Sequence, residues 1–406
     1  MSQYTFTSKS RYTTFGLMAI GVLALAYGAI NHDISGTRFW ANILLEGLFF
    51  TFIALGASFF MALQYVAQAG WSVVVKRMYE ALTTFLPFGL LAIFAVVIAS
   101  AIGGHANSAD IVYKWMQSDA TDIAKKVPGV FDEMLVKKHL YLNVPFVIIR
   151  TIICASLWVY WVRLLRKRSI ESDLTGDFLP LHYKNVKTAG LFIIFFGITE
   201  QLMAWDWVMA IDVDWHSTLF GWYLFDDMWL TGVIATILLT LHVRRRGLLK
   251  EVNENHMHNL GLWMFSLSVL WGYLWFFQFM FYWYTNIPDE VVYFQARIDH
   301  YRLPFWIMFC INLLVPLIVL MTRDTKRNPR YLILIGCIIM VTHWIDAYVW
   351  VMPGTLGLTP KFGFYEIGIL LGFIGLFLYV VLSNLAKVPV SVKNHPYLEE
   401  SLHHHL

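Results

Sequence analysis

Ionisable side chains occur inside segments of this chain that are otherwise apolar. Six of them could carry chemistry: Glu200, Asp206, Asp226, Asp227, His343 and Asp346. A charged group in the hydrocarbon of a bilayer is costly unless it is paired or hydrated, so each is a hypothesis of function. Carboxyl and imidazole groups stacked across a membrane can pass protons when their surroundings bring their proton affinity close to neutral pH. We therefore predict that these six residues form a proton relay.

The spacing of these residues places them at particular depths. At 1.5 Å per helical residue, Asp206 lies about 9 Å outward from Glu200, and Asp227 lies about 14 Å inside the outer boundary. His343 and Asp346 are one turn apart on one helix face, which is the spacing of a hydrogen-bonded His–Asp pair. Together the six residues would place polar groups between the middle of the membrane and its outer side.

Three further polar residues could support the relay: Arg150, Thr199 and Thr342. The threonine hydroxyls can hydrate the path or relay a proton. The alternative is that Arg150 neutralises one carboxylate and the other polar side chains only hold helices together. For Asp206, Glu46 and Glu366, taken individually and near an interface, contact with solvent is the favoured interpretation.

The sequence contains no cofactor-ligating motif. The three cysteines have no paired spacing, and His343 is the only histidine deep inside an apolar run, so neither an iron–sulfur cluster nor a two-histidine haem site is predicted. Asp212, Asp214 and His216 alternate on a short turn, which is weak support for a metal site, and we predict none. The histidines at 403–405 are expected to form an exposed tail.

The elements that position these residues follow from the composition. The 406 residues are 58% hydrophobic and only 14% charged, whereas a soluble protein carries about 25% charged residues. The formal net charge of +3 is too small to indicate nucleic-acid binding. The sequence therefore predicts an all-α polytopic membrane protein with no second folded domain.

Ten apolar runs are long enough to cross a bilayer, which takes about 20 residues each. They cover about 13–30, 41–67, 80–103, 141–164, 188–212, 217–243, 258–284, 303–322, 330–352 and 362–386. The first run lacks a small-residue cleavage site and is predicted to be a retained helix. The longest connection, about 104–140, is charged and amphipathic and is predicted to lie on the membrane surface or against a partner. Basic residues concentrate at the termini and in the even-numbered connections, which predicts that both termini are cytoplasmic.

An internal repeat is visible in the sequence. The segment Ile198–Met209 aligns without gaps on Val341–Met352, so that Glu200 and His343 are equivalent. These segments lie in predicted helices five and nine, and an even number of helices per repeat preserves the topology. We predict two parallel four-helix bundles, about 41–212 and 217–352, with helices one and ten peripheral. Chance similarity between two aromatic-rich helix ends is the alternative.

Three segments carry a resemblance to a known family. WDWVMAIDVDWHSTLFGWY, from Trp205 to Tyr223, resembles the signature around helices five and six of the polysulfide-reductase-like (NrfD-like) subunits of bacterial alternative complex III. The segment Gln278–Phe294 contains YTNIPDE and is similar to the family's Y-x-N-x-P-E-E end of helix seven. GWSVVVKRMYEALTTFLP, Gly70–Pro87, resembles the smaller of the two paralogous subunits, the F subunit.

This resemblance implies a ten-helix subunit of a respiratory quinol:electron-acceptor oxidoreductase in the bacterial inner membrane. The implied partners are a sister C subunit, an iron–sulfur subunit, multihaem and monohaem cytochrome c subunits, membrane lipids and, as a further partner, a terminal oxidase. Quinol, haem c and iron–sulfur clusters would be held by those partners, and the F subunit would move protons. The six relay candidates would then serve that role, although Glu200 and His343 differ between the repeats, so the two bundles need not have the same task.

Four functions are compatible with these features. The first is a proton-conducting subunit, and the second is a quinol-oxidising site that uses His343 and Asp346 with a redox centre from a partner. The third is a scaffold that anchors the cytochrome subunits. The fourth, a secondary transporter, is disfavoured because the helices lack Gly- or Pro-broken segments at matching positions.

Overall fold

The protein is an all-α, multi-pass membrane protein. The computed structural model describes residues 3–30, 35–106, 108, 110–117, 138–176 and 178–405, with Asp289 described by its backbone alone. Within these residues ten helices are long and apolar enough to cross a membrane. An isolated β-bridge joins Gln3 to Pro389.

The ten membrane-crossing helices are numbered in chain order. They are α1 (Ser8–Ile30), α2 (Gly36–Val66), α3 (Leu86–His105), α4 (Val144–Thr175), α5 (Phe178–Trp207), α6 (Thr218–Arg245), α7 (Glu254–Thr285), α8 (Arg302–Val319), α9 (Pro329–Leu356) and α10 (Phe364–Leu385). The shorter α-helices are Lys76–Leu82, Pro288–His300, Arg323–Arg327 and Leu398–Leu402. The short helices Gly70–Val75 and Thr83–Phe85 flank the first of these and have 3₁₀ geometry. The prediction of ten membrane-crossing segments is confirmed.

Local capping sets where several helices begin and end. The Ser35 side chain accepts a hydrogen bond from the backbone N–H of Arg38 and caps α2, and Asn143 caps α4 in the same way. A left-handed Gly176, with φ of +74°, ends α4 and allows α5 to begin at Phe178. Hydropathy reflects only the part of each helix in the hydrocarbon, so the prediction was too short at the start of α2, the end of α4 and the start of α5, whereas α4 begins just inside its predicted start.

The long connection is only partly described. Residues 118–137 of the predicted surface segment lie outside the described residues. In the described part, Val112, Tyr113 and Met116 are buried, and the Tyr113 hydroxyl donates to the carbonyl of Trp207 at 2.8 Å. In this part the apolar side chains pack into the protein's own helix ends, and the position on the membrane surface stays a prediction.

Two groups of four helices pack in the same cyclic order. In the first, α2 contacts α3, α3 contacts α4, α4 contacts α5, and α5 returns to α2. In the second, α6, α7, α8 and α9 repeat this order. The helices α1 and α10 pack on each other, and Gly21 and Gly372 bring their backbones into contact. This is the arrangement that the internal repeat predicts.

Glycines join the two groups. The first helices of the groups, α2 and α6, cross with Gly56 against the backbone carbonyl of Met228 and with Gly232 against the backbone of Gly56. Small residues at a membrane helix crossing allow this close approach and the van der Waals contact that stabilises it. The contact fixes the rotation of α6, which carries two of the candidate residues, relative to α2.

Candidate functional site

Asp227 and His343 form the centre of the candidate site. Asp227 is on α6 and His343 is on α9, and the Nδ1 of His343 is hydrogen-bonded to Oδ1 of Asp227. The exposed fractions of the two side chains are 1% and 0%. The start of α6 at Thr218 places Asp227 about 14 Å along the helix, close to mid-membrane. Trp271 of α7 packs its ring against the imidazole with the centroids 5.4 Å apart.

Asp346 lies beside this pair but has a different partner. Its Oδ2 accepts a hydrogen bond from the Tyr223 hydroxyl, and Trp350 donates from Nε1 to the same hydroxyl at 3.4 Å. The predicted His343–Asp346 hydrogen bond is therefore wrong. Residues one turn apart on a helix project side by side toward the neighbouring helix, and α6 supplies a separate partner to each.

These three residues also have the composition of a cation site. One ligand atom from each of Asp227, His343 and Asp346 can be chosen so that all lie within 4.8 Å of one another. A mixed imidazole and carboxylate donor set accepts first-row divalent metals. Among the described residues, the Nε2 of His343 and the Oδ1 of Asp346 have no hydrogen-bond partner. The site can therefore hold protons or a cation.

Two further buried acids lie on helices that carry the central pair or pack against them. Glu46 of α2 accepts a hydrogen bond from Nε1 of Trp344 at 2.9 Å, and Trp344 follows His343 in the chain. Asp226 is fully buried, and neither of its carboxylate oxygens has a hydrogen-bond partner in the part of the chain that the structure describes. We call the five residues the central cluster: Glu46, Asp226, Asp227, His343 and Asp346.

The placement of Glu46 corrects the sequence-based interpretation. Solvent contact near the outer boundary was favoured, but Glu46 is fully buried. Since α2 begins at Gly36, Glu46 is about 15 Å along the helix. The apolar run itself starts near residue 41, and this made the residue look more peripheral than it is.

Glu200, Thr199 and Thr342 form no hydrogen bond with the central cluster among the described residues. Glu200 on α5 is buried and accepts a hydrogen bond from Gln201 at 2.8 Å. The Thr199 hydroxyl accepts one from Trp158 of α4 at 2.9 Å, and Thr342 donates to Asn312 of α8. The threonines thus bind the preceding helix of their own group, at equivalent positions of the repeat.

Asp206 belongs to a buried ion pair. The guanidinium of Arg150 donates from Nε and Nη2 to the two carboxylate oxygens, both at 2.8 Å. The ring of Tyr141 lies 4.0 Å from the guanidinium carbon. Solvent contact at Asp206 was the wrong interpretation, and the alternative that Arg150 neutralises one carboxylate is confirmed for this residue.

The other acid assigned to the boundary is also paired. Glu366 of α10 is buried and accepts hydrogen bonds from Arg38 of α2 at 2.8 and 3.0 Å. The expectation of solvent contact is therefore wrong for Glu366 as well. The cation lies 328 positions away in the chain, so no local pattern could have paired the two residues.

A buried arginine was missed in the sequence. Arg297, on the helix Pro288–His300, is 1% exposed and donates from Nη2 to Asp212 at 2.8 Å. It also donates from Nε to the carbonyl of Val349 at 3.1 Å, and Val349 is the repeat counterpart of Asp206. The helix is too short and too polar to register as a membrane-crossing segment, so its inward face went unnoticed.

The C-terminal segment is docked on the protein. Ser401 donates to the carbonyl of Trp71 at 3.0 Å, and Asn253 at the start of α7 donates to the carbonyl of His404 at 2.9 Å. The ring of His395 lies against that of His182, with centroids 4.9 Å apart. The expectation of an exposed tail holds for the rings of His403 and His405 but not for His404.

Docking of this segment is expected to weaken on acidification. Burial, together with Lys76, His182 and Arg77, lowers the pKa of His395 to about 2. Below the ordinary value of about 6.5, the free segment binds a proton that the docked segment excludes. Its docking constant should then fall by up to about tenfold per pH unit. Hydrogen–deuterium exchange over 393–404, corrected for intrinsic rates between pH 8 and pH 5.5, measures this loss.

A matched variant isolates the histidine. In His395→Gln the same exchange measurement should show protection that depends less steeply on pH in this range, with the remainder coming from His404, whose pKa is also lowered by burial. If wild-type protection stays constant down to pH 5.5, the docked segment accommodates the protonated ring and the expectation is wrong.

Comparison with known proteins does not assign this chain to a family. No protein-family model and no curated protein sequence matches this chain.

Proposed function

We propose that this chain is a proton-conducting membrane subunit of a respiratory quinol:electron-acceptor oxidoreductase, of the kind found in bacterial alternative complex III. The proposal combines the resemblance of the segments at 70–87, 205–223 and 278–294 with the central cluster. Quinol oxidation, haem c and iron–sulfur clusters would belong to partner subunits. The membrane would be the bacterial inner membrane, with both termini in the cytoplasm because the basic connections lie on their side.

The observation that carries the proposal is a group of buried acids without a compensating cation. Within the described residues, Asp206 and Glu366 pair with arginines. No lysine or arginine forms an ion pair with any member of the central cluster there, and its one basic group is the imidazole of His343. An uncompensated carboxylate in this environment favours binding a proton. The central cluster can therefore take up and release protons, whereas the acids paired with arginines hold helices together.

One step of the path can be written at named atoms. A proton on Oδ1 of Asp227 can pass to Nδ1 of His343, and the pair changes from neutral carboxyl and imidazole to carboxylate and imidazolium. The Nε2 of His343 has no partner among the described residues and is free to release its proton to a water or another acceptor. Tyr223 and Asp346 offer a second hydroxyl–carboxylate pair beside it.

The burial of the cluster favours proton conduction over quinol oxidation at the same residues. A quinol ring would need access from lipid to a His–Asp pair, and the side chains of Asp227 and His343 are almost completely enclosed. Protons need only a chain of hydrogen bonds or waters. A pure scaffold has no use for five titratable groups without a compensating cation, because such groups cost stability.

The test is a comparison of Asp227→Asn and Glu200→Gln with wild type in the assembled complex, reconstituted in vesicles. Quinol oxidation and proton release on each side are recorded together. For Asp227→Asn we expect electron transfer to persist while proton translocation falls by at least about tenfold, since a general acid–base group is lost. Glu200→Gln tests whether the first helix group shares the path.

The matched control is Glu171→Gln, the same chemical change at an exposed position of α4. It should leave both activities unchanged. If the Asp227 and Glu200 variants retain full proton translocation, the buried acids are structural and the scaffold function replaces the proposal. If electron transfer fails in an intact complex, the quinol site must be sought in this chain.

A further inference from the structure

An apolar groove opens toward the lipid between α3 and α4. Its cavity has a volume of about 720 Å³ and is lined mainly by apolar side chains. Leu90, Leu91 and Phe94 form the α3 wall, and Ala155 and Val159 lie on the α4 wall. The lining belongs to two helices that contact each other along only part of their length, so the groove runs between them.

A second, more polar cavity continues from one end of the groove. It has a volume of about 500 Å³ and shares Pro87, Val159, Arg163 and Lys167 with the first. Its remaining polar lining consists of Thr83, Thr84, Arg166 and Asn384. The two cavities together form one amphipathic site, with apolar walls along the helices and polar groups at one end.

The polar end carries positive charge that the protein leaves unneutralised. Arg163 and Lys167 are one turn apart, are exposed, and form no hydrogen bond or ion pair within the described part of the chain. Arg166 beside them makes a 3.4 Å hydrogen bond to a backbone carbonyl and is attracted by the carboxylate of Glu80. The nearby acids Glu80 and Asp173 are both bound by Arg77. An anion is therefore the complementary ligand for this end.

The length of the groove matches one leaflet. From Arg163 to Ile152, the apolar wall of α4 extends about 17 Å at 1.5 Å per residue. Half of a bilayer's hydrocarbon thickness is about 15 Å. A chain that starts at the arginine would therefore end near the middle of the membrane.

We propose that this groove binds one anionic phospholipid of the leaflet on the side of Arg163. The phosphate lies among Arg163, Arg166 and Lys167, and an acyl chain follows the apolar walls toward Ile152. Basic pockets between membrane helices bind anionic lipid headgroups in this way. A helix from a partner would fill the apolar part but leave Arg163 and Lys167 without an anion, and an uncharged isoprenoid tail would do the same. The inference is independent of the proton path.

The test is native mass spectrometry of the full chain purified in detergent and titrated with phosphatidylglycerol or phosphatidylcholine. The double variant Arg163→Gln/Lys167→Gln should bind phosphatidylglycerol about thirtyfold more weakly, which is about fivefold for each charge removed, with little change for phosphatidylcholine. Ser156→Trp, which places an indole in the groove, should weaken the binding of both lipids.

Two controls separate a site from general attraction. Lys187→Gln/Arg330→Gln removes the same charge from exposed positions elsewhere on the same side of the protein, and Ile153→Trp adds the same indole to the lipid-facing side of α4 outside the groove lining. Both should bind lipid like wild type. Equal weakening by test and control charge variants overturns the proposal, because the attraction would then be delocalised. Unchanged lipid binding in Ser156→Trp also overturns it and leaves a partner helix as the occupant of the groove.

Discussion

Replacement of Arg150 by Met is expected to lower the free energy of unfolding by about 3 kcal/mol, since it leaves a buried carboxylate without its cation. Arg150 bridges α4 to Asp206 on α5 through two hydrogen bonds of 2.8 Å, and the carboxylate is completely buried. Equilibrium unfolding in dodecyl maltoside micelles with increasing SDS, followed by circular dichroism, measures the change.

A double-mutant comparison identifies the cause of this loss. Removing both charges in Arg150→Met/Asp206→Leu should restore most of the stability, because a buried ion pair can often be replaced by apolar residues at little cost. Arg330→Met removes an exposed arginine, and it should change stability by less than about 0.5 kcal/mol. If the double variant is no more stable than Arg150→Met, the packing of the arginine stem on its aromatic neighbours is the dominant contribution instead.

Gly56→Ala is expected to destabilise the protein by about 3 kcal/mol, at the upper end of the usual cost of overpacking. A Cβ atom at this position would lie 1.9 Å from the carbonyl oxygen of Met228. The obstacle is backbone, so no side-chain rotation relieves it, and α2 and α6 would have to separate. The same SDS unfolding measurement applies, together with the yield of monodisperse protein.

Gly197→Ala supplies the matched control. A Cβ atom at Gly197 on α5 meets nothing within 4 Å, and alanine is the better helix former by up to about 1 kcal/mol. The two substitutions are chemically identical and should change stability in opposite directions. A destabilisation below about 1 kcal/mol for Gly56→Ala would mean that the two helix groups do not meet through their backbones.

The two copies of the repeat differ in the role of the buried arginine. In the first group an arginine neutralises Asp206, whereas in the second group Arg297 binds the backbone at the equivalent Val349. The uncompensated acids lie mainly on α6 and α9, in the second group. The two helix groups therefore share one fold but differ in their buried charges. We expect the second group to carry the larger part of any proton path.

The membrane-crossing helices could be predicted from local sequence. Ten apolar runs predicted ten membrane-crossing helices, because the cost of placing polar backbone and side chains in hydrocarbon is a local property of about 20 residues. The repeat predicted two equivalent groups of helices, since the pattern of residues along each helix is a local property of its own sequence. Glu200, Asp226, Asp227, His343 and Asp346 were recognisable as buried ionisable groups for the same reason, and all five are buried.

The pairing of these groups depends on how the helices pack and could not be predicted from local sequence. His343 binds Asp227, 116 positions away, and not Asp346 one turn along its own helix. Glu46 joins the cluster through Trp344, and Arg150 removes Asp206 from it. The rotation and depth of each helix follow from close contacts such as the one between Gly56 and Met228. Those contacts depend on two distant segments at once, so no single stretch of the sequence contains them.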